Sequence, residues 1–211
     1  GTGPLTPGGR RLVEVRLLPQ RSASGGVVGV VAVATDRTAE REATAKLEWA
    51  QQHDSLTGLA NASMLSDRLG SDLAQGGEGT IALAMVDLDH FRIINHSLGH
   101  RVGDEVLQSV AQRLKAAARP GDLVARMSAD LFGVVMRLRD GRDVLRSVDH
   151  LAAAVRAAEV MDLDGGEHRL TACIGLATAT SSTASAREQI RDADTAMNVA
   201  KGSGPDSVTV F

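Results

Sequence analysis

The sequence predicts an α/β or α+β domain in which helices pack on a β-sheet, and two observations support this. Apolar runs typical of strands alternate with segments in which apolar residues recur at helical spacing. The chain has 211 residues, which is enough for one such domain and an additional fragment. Aromatic residues make up only 2% of the chain, so the core must consist mainly of Ala, Val, Leu and Ile.

The N-terminal part of the chain predicts a β-hairpin followed by a helix. Residues 11–18 alternate in part between apolar and polar side chains, and residues 27–35 form a second strand after a turn. Residues 38–53 predict a charged helix that carries Leu47 on its apolar face. This helix is either a solvated linker or a coiled coil that sets the geometry of a dimer.

The rest of the chain contains one strand of special interest, the wholly apolar run I-A-L-A-M-V at 81–86. Such a run is typical of a central strand buried on both faces, and it ends at Asp87 and Asp89. Because carboxylates are costly to desolvate, we expect a positive partner there, for which a divalent metal ion that carries a nucleotide phosphate is the obvious candidate. The alternative is a pair of solvated carboxylates. Helices are predicted at 63–75, 102–114, 144–160 and 186–201, and further strands at 123–126, 131–138, 169–178 and 207–211.

Composition excludes several classes of function. The net charge is −3 and no Lys/Arg stripe is visible, which argues against a nucleic-acid polymer as partner. Cys173 is the only cysteine, so we expect a buried structural thiol and not an internal disulfide. The longest apolar run of the first part, at 27–34, is far shorter than the ~20 residues that span a bilayer. With no signal peptide visible, we expect a cytoplasmic protein, although a longer parent chain could carry an anchor.

Three motifs follow one another in the second part of the chain. They are D-S-L-T-G-L-A-N at 54–61, D-L-D-H-F-R at 87–92 with I-N, G-H and G-D shortly behind it, and R-M-S-A-D-L-F at 126–132. Their order and spacing resemble those of GGDEF domains, the diguanylate cyclase family, whose corresponding motifs include D-x-L-T-G-L-x-N and R-L-G-G-D-E-F. The resemblance covers residues 54–211.

The resemblance implies a fold and a domain order. The fold would be a mixed central sheet flanked by helices, as in nucleotide-cyclase and polymerase palm folds. The stretch D-R-T-A-E at 36–40 resembles the end of a PAS sensor domain. We therefore expect a partial PAS-like hairpin at 1–36, a linker helix at 37–53 and a GGDEF domain at 54–211. The stretches L-A-N and N-H-S-L-G-H are also similar to those of GGDEF domains that precede an EAL phosphodiesterase domain.

The resemblance also implies a nucleotide site. Such a cyclase joins two GTP molecules into cyclic di-GMP in a homodimer, with Mg²⁺ or Mn²⁺ stabilising the reacting oxygens. The implied metal ligands are Asp87, the Leu88 carbonyl and Asp130. The N–H groups of His90 and Phe91 and the side chain of Lys201 are the implied phosphate contacts. Arg92 stands in place of the usual Lys. Asn95 and Asp104 are the implied guanine contacts.

A further motif, R-P-G-D at 119–122, resembles the R-x-x-D inhibitory site at which the family binds cyclic di-GMP. Arg119 would bind a guanine face or edge, and Asp122 would accept hydrogen bonds from its N1 and N2. The alternative is an ordinary turn, because Pro-Gly-Asp favours turns.

Departures from the family pattern concentrate where catalysis is sensitive. Ser128 and Ala129 replace two glycines that allow positive φ and close approach of the nucleotide. Leu131 replaces an acidic residue and can neither ligate a metal nor accept a proton, a loss worth ~10²–10⁴-fold in rate. We therefore expect a degenerate GGDEF domain that binds GTP and regulates an attached output domain. An active cyclase and a structural dimerisation and relay module are the alternatives.

Overall fold

The computed structural model describes residues 11–76, 79–139, 141–161, 167–179 and 185–211. The chain divides into two compact units, Gly1–Ala50 and Gln51–Phe211. Within the described ranges, no helix combines the length and the apolar character needed to cross a membrane.

The first unit contains the expected hairpin. Strand β1 (Val13–Arg21) pairs antiparallel with β2 (Val27–Asp36), and helix α1 (Thr38–Gln52) follows. The Asp36 carboxylate accepts a hydrogen bond from the Thr38 N–H at 2.9 Å, which fixes the start of the helix. The apolar side chains of both strands remain largely exposed, with Leu17 at 66%.

The second unit alternates strands and helices as predicted. Its elements are β3 (Ala60–Asn61), α2 (Ala62–Gln75), β4 (Thr80–Leu88), α3 (Phe91–Leu98), α4 (His100–Ala117), β5 (Leu123–Ser128), β6 (Leu131–Leu138), α5 (Gly141–Arg156), β7 (Glu159–Met161), β8 (Glu167–Arg169), β9 (Ala172–Ala179), α6 (Ala186–Ser203) and β10 (Val208–Val210).

The main sheet has the strand order β10-β9-β4-β6-β5-β3 and is mixed. Strand β4 pairs antiparallel with both β6 and β9, whereas the outer pairs β9–β10 and β3–β5 are parallel. Alternate residues of β4 enter two separate cores, with Leu83 facing α2 and α6 and Ala84 facing α4 and α5. The predicted α/β fold with a mixed central sheet flanked by helices is confirmed, and β4 is its doubly buried central strand.

The structure corrects four details of the predicted elements. The helix predicted at 144–160 ends at Arg156, because the chain then enters β7, which pairs with β8. The strand predicted at 169–178 is two strands, β8 and β9. The short elements α3 and β3 were not predicted, since eight and two residues are too few for a clear hydrophobic period.

Helix α6 packs unusually close to the sheet at Gly175 of β9. A Cβ on Gly175 would lie 2.1 Å from the Met197 backbone N and 2.4 Å from the Ala193 carbonyl O. Nearby, the buried Gln189 side chain donates hydrogen bonds to the carbonyls of Ile81 and Ala177, at 2.8 and 3.2 Å. The backbone of α6 is therefore held directly against β4 and β9.

Gly175→Ala should lower the free energy of unfolding by about 3 kcal/mol, because the atoms that its Cβ would meet belong to backbone and cannot turn aside. Urea unfolding of wild type and variant measures this. Gly70→Ala in α2 is the matched control, since its Cβ would meet its nearest neighbour at an ordinary 4.0 Å. Equal stability of the two variants would contradict the packing described here.

Candidate nucleotide site at the end of strand β4

Asp87 lies at the end of β4 and is paired with a lysine from α6. Its carboxylate is 2.8 Å from Lys201 Nζ, and its side chain is only 14% exposed. Burial raises the pKa of Asp87, the Lys201 ammonium opposes this, and the neighbouring charges of Asp130 and Asp89 raise it further. The positive partner expected at this strand end is thus supplied by the chain itself.

Lys201 remains a strong cation in this position. Partial burial alone would lower its pKa, but the hydrogen bond to Asp87 and the nearby Asp130 outweigh that effect and raise it. A protonated amine on a long side chain therefore stands beside two carboxylates, at the mouth of the site.

Asp89 has a different environment from Asp87. Its carboxylate accepts hydrogen bonds from Thr171 Oγ1 at 2.7 Å, Cys173 Sγ at 3.1 Å and the Asp206 N–H at 2.8 Å. The carboxylate is thereby used to tie the end of β4 to β9 and to the loop before β10. Cys173 is buried as expected, and burial raises the pKa of its thiol.

The β5–β6 hairpin brings Asp130 and Leu131 to the same strand end. The Leu88 N–H donates to the Asp130 carbonyl at 3.3 Å, and Leu131 is the direct partner of Asp87 in the β4–β6 ladder. Directly paired residues of an antiparallel ladder project to the same face, with Cβ atoms about 5 Å apart. Leu131 therefore places an apolar side chain beside the Asp87 carboxylate.

The turn of this hairpin does not use positive φ. Among the described residues, His90 and Asp206 are the non-glycine residues with positive φ, and neither belongs to the turn. Ser128 and Ala129 are exposed and adopt conformations open to any L-residue. Compared with two glycines, Ser128 and Ala129 therefore add side-chain volume at this turn but no backbone strain.

Arg126 joins the first and third motifs of the chain. Its Nε and Nη2 donate to the Ala129 carbonyl at 3.1 and 2.7 Å, and its Nη1 lies 3.1 and 3.2 Å from the two carboxylate oxygens of Asp54. Asp54 also accepts from the N–H and hydroxyl of Thr57. Burial would raise the pKa of Asp54, but Thr57 and Arg126 outweigh it, so the pKa is lowered.

The two residues expected to read a base, Asn95 and Asp104, lie on the consecutive helices α3 and α4. Asn95 of α3 lies over Gly103, the residue before Asp104 in α4, with its Oδ1 against the position that a Gly103 Cβ would take. At the other end of α3, His90 adopts a left-handed conformation with φ 58°. It directs the chain from β4 into the helix, whose first N–H groups have no partner within the helix.

Arg119 and Asp122 form a turn and also line a cavity. The Asp122 carboxylate accepts from the Arg119 N–H at 2.8 Å, and Arg119 forms an ion pair with Asp143 at 3.7 Å. Burial raises the pKa of Asp122, although Arg119 and Arg68 act against it. The cavity measures about 610 Å³ and is lined by five arginines. They are Arg68, Arg119, Arg137, Arg139 and Arg146.

The donor set at the end of β4 fits a metal that arrives with a nucleotide better than a resident metal. Over the described part of the chain, no three His, Cys, Asp or Glu side chains are grouped as a metal site. Asp87 and Asp130 bring two carboxylates close to each other at this strand end. Mg²⁺ is commonly held by one or two carboxylates together with substrate phosphates.

Comparison with known proteins places this geometry in a family. The family model of the GGDEF domain, described as diguanylate cyclase, matches residues 51–207. The chain belongs to the GGDEF domain family. The motif that begins in β5 reads R-M-S-A-D-L-F in this chain.

Individual relatives of this GGDEF chain agree. It is 35% identical over 164 residues to the diguanylate cyclase TpbB of Pseudomonas aeruginosa, covering 76% of this chain and 38% of that protein. It is 30% identical over 207 residues to the probable diguanylate cyclase DgcE of Escherichia coli, covering 97% of this chain and 19% of that protein. The chain thus spans well under half the length of these relatives.

A solved relative of this GGDEF chain shows the same fold. The coiled coil and GGDEF domain of DgcB from Caulobacter crescentus, solved in complex with c-di-GMP, superposes with a TM-score of 0.71 and 26% identity. The match covers 82% of this chain and 92% of that structure.

Three structural residues of the site were not assigned by sequence reasoning. Asp89, Arg126 and Gly103 act through partners that are distant in sequence or through close packing. The available signal was the pair of opposite charges in the first and third motifs, Asp54 and Arg126, which are 72 residues apart.

Arg126→Lys should lower the free energy of unfolding by about 2 kcal/mol, because a lysine cannot bind Asp54 and the Ala129 carbonyl together. The lowered pKa of Asp54 means that this stabilisation is present above its ordinary value of 3.8 and is lost as the pH falls through the folded-state pKa. Thermal and urea unfolding near pH 7 measure the difference. Arg113→Lys on the exposed face of α4 is the control, and an equal effect there would contradict the role of Arg126.

Proposed function

We propose that this GGDEF domain binds GTP with Mg²⁺ (or Mn²⁺), synthesises little or no cyclic di-GMP, and regulates an output domain attached in its parent protein. The observation that carries the proposal is Leu131, which stands directly opposite Asp87 in the β4–β6 ladder. The residues that we expect to bind nucleotide are retained in the sequence, whereas position 131 lacks the acidic group that we expect to assist the reaction.

Nucleotide binding rests on the charges and donors at the end of β4. Asp87, Asp130 and the Leu88 carbonyl would hold the metal, which supplies charge stabilisation at the α-phosphate. The N–H groups of His90 and Phe91 would bind phosphate oxygens, as helix N-termini do. Lys201 already stands beside Asp87, and Arg92 is exposed at the start of α3.

The base is recognised at the α3–α4 corner in this proposal. Asn95 offers a donor and an acceptor, and Asp104 accepts hydrogen bonds from the guanine N1 and N2. Adenine carries no hydrogen on N1, so the same pair would bind it poorly. Asp104 is exposed near the start of α4, so its carboxylate is available to a base.

Turnover requires more than binding. The ribose 3′-hydroxyl of one GTP must attack the α-phosphate of another GTP held by a second copy of the domain. The bond from the α-phosphorus to the bridging oxygen breaks, pyrophosphate leaves, and the proton of the hydroxyl must be accepted. Leu131 offers no acceptor at this position, and its methyl groups reduce the hydration of Asp87. Since the turn at Ser128 and Ala129 is free of positive φ, we attribute the main loss to Leu131.

A working cyclase is the second candidate. The diguanylate cyclase name of TpbB and the retained Asp87, Asp130 and Lys201 favour it. The coverage of 97% of this chain by the DgcE alignment also supports a functional unit that includes the N-terminal hairpin and α1, which we interpret as the end of a PAS-like sensor and a linker.

The wild-type chain should bind GTP·Mg²⁺ with a micromolar Kd, roughly −7 kcal/mol, and form no cyclic di-GMP above background. Leu131→Glu should raise cyclic di-GMP formation by at least about 10-fold, because it supplies a proton acceptor beside Asp87. Calorimetry measures binding, and chromatography of products from labelled GTP measures turnover.

Leu131→Gln is the matched control for this experiment, since glutamine has the shape of glutamate without its basicity. It should stay inactive. Robust multiple-turnover synthesis by wild type would favour the cyclase candidate, and absence of GTP binding by wild type would overturn the proposed function.

Cyclic di-GMP binding is a second part of the proposal, and it rests on the arginine-lined cavity. The cavity of about 610 Å³ is lined by five arginines and three aspartates, and this net positive lining suits a ligand with two phosphates. Arg68 also donates to the Gly121 carbonyl at 2.6 Å, which steadies the turn that carries Arg119 and Asp122.

Arg119→Ala should weaken cyclic di-GMP binding by about 10- to 100-fold, the loss expected for one bidentate base contact of ~1–3 kcal/mol. Calorimetric titration of wild type, Arg119→Ala and the control Arg113→Ala with cyclic di-GMP measures this. If wild type shows no binding at high micromolar ligand, residues 119–122 are only a turn and this part of the proposal falls.

A further inference from the structure

We propose that Gly103 is a specificity-determining position, which sets the orientation of the Asn95 amide and thereby the preference for guanine over adenine. This inference rests on the proposed function, in which Asn95 and Asp104 read the base. Gly103 itself has no side chain and takes part only by leaving space.

The packing at this position is tight on one side. A Cβ built on Gly103 would lie 1.9 Å from Asn95 Oδ1 and 3.0 Å from its Cγ. The next nearest atom is Cζ of the Phe91 ring, at 3.3 Å. The Asn95 amide therefore occupies the volume that a side chain at position 103 would take.

The atoms involved decide what a larger residue would do. At Gly103 the nearest atoms belong to the far ends of two side chains, whereas at Gly175 they belong to backbone. An asparagine side chain can rotate out of contact without unfolding anything. Alanine is also a better helix former than glycine in the interior of α4. Gly103→Ala should therefore keep the fold and displace the Asn95 amide.

Displacement of that amide would separate the base-reading pair. Asp104 is the next residue in α4, and its exposed carboxylate would stay where it is. Asn95 would no longer present its donor and acceptor beside it. The phosphate-binding and metal-binding groups at the end of β4 lie on other residues and would not change, so the effect should be confined to the base.

A purely structural role for Gly103, as a close contact that lets α3 and α4 pack, predicts a different pattern. It would affect stability and the binding of all nucleotides alike. The effect of Gly103→Ala on nucleotide binding would then persist when Asn95 is replaced by alanine. A double-mutant cycle separates the two roles.

The experiment measures Kd values of GTP·Mg²⁺ and ATP·Mg²⁺, together with melting temperatures, for wild type, Gly103→Ala, Asn95→Ala and the double variant. Gly70→Ala, a helix-interior glycine whose Cβ has room, is the control. Gly103→Ala should bind GTP roughly tenfold more weakly, with ATP binding and melting temperature nearly unchanged. In the Asn95→Ala background the same substitution should have no further effect, because the amide that it displaces is gone.

If the wild type prefers GTP to ATP, three results would overturn the inference about Gly103 and leave the proposed function intact. They are unchanged GTP affinity in Gly103→Ala, a tenfold loss that persists in the Asn95→Ala background, and a variant too unstable to fold. A wild type that binds GTP and ATP equally would overturn the proposed base recognition and this inference with it.

Discussion

The end of strand β4 brings carboxylates to the edge of a core that is buried on both faces, and the surrounding structure is arranged to stabilise them. Asp89 is satisfied by three donors from distant segments, so it holds β4, β9 and the loop before β10 together. Asp87 is satisfied by a single lysine on a flexible side chain. The donors to Asp89 lie on a strand and a loop of the fold, whereas the lysine that pairs with Asp87 has a long, partly exposed side chain that can rotate aside for a ligand.

Helix α6 can supply that lysine only because it lies close to the sheet. Gly175 lets the backbone of α6 approach β9, and Gln189 anchors the helix to the carbonyls of β4 and β9. Lys201 then reaches Asp87 from the last turn of the helix. Core packing in this domain is thus a direct cause of the charge distribution at the site.

In the proposed function, the same strand end separates nucleotide binding from the chemical step. The pieces that attract a nucleotide are spread over several elements, and each contributes independently of Leu131. In that proposal the chemical step depends on a group at one position of the β4–β6 ladder, and there the apolar Leu131 is paired with Asp87. In the proposed function, one residue therefore removes turnover while nucleotide binding is kept for regulation.

The sequence alone determined the alternation of strands and helices, the doubly buried β4, the acidic strand end and the family motifs. These features are local, since hydrophobic periodicity and residue order are properties of short segments. Residues 81–86 predicted a buried strand, and the carboxylates at its end favoured a positive partner over solvation.

Only the tertiary structure decided which groups meet. In the folded chain Asp87 pairs with Lys201, and Asp89 accepts hydrogen bonds from Thr171 and Cys173. Arg126 pairs with Asp54. Asn95 packs against Gly103. The tertiary structure also ended α5 at Arg156, where pairing with β8 replaced a helical pattern that the local sequence would have continued. These outcomes depend on the strand order of the sheet and on the distance between helix and sheet, and both arise from contacts between segments far apart in the chain.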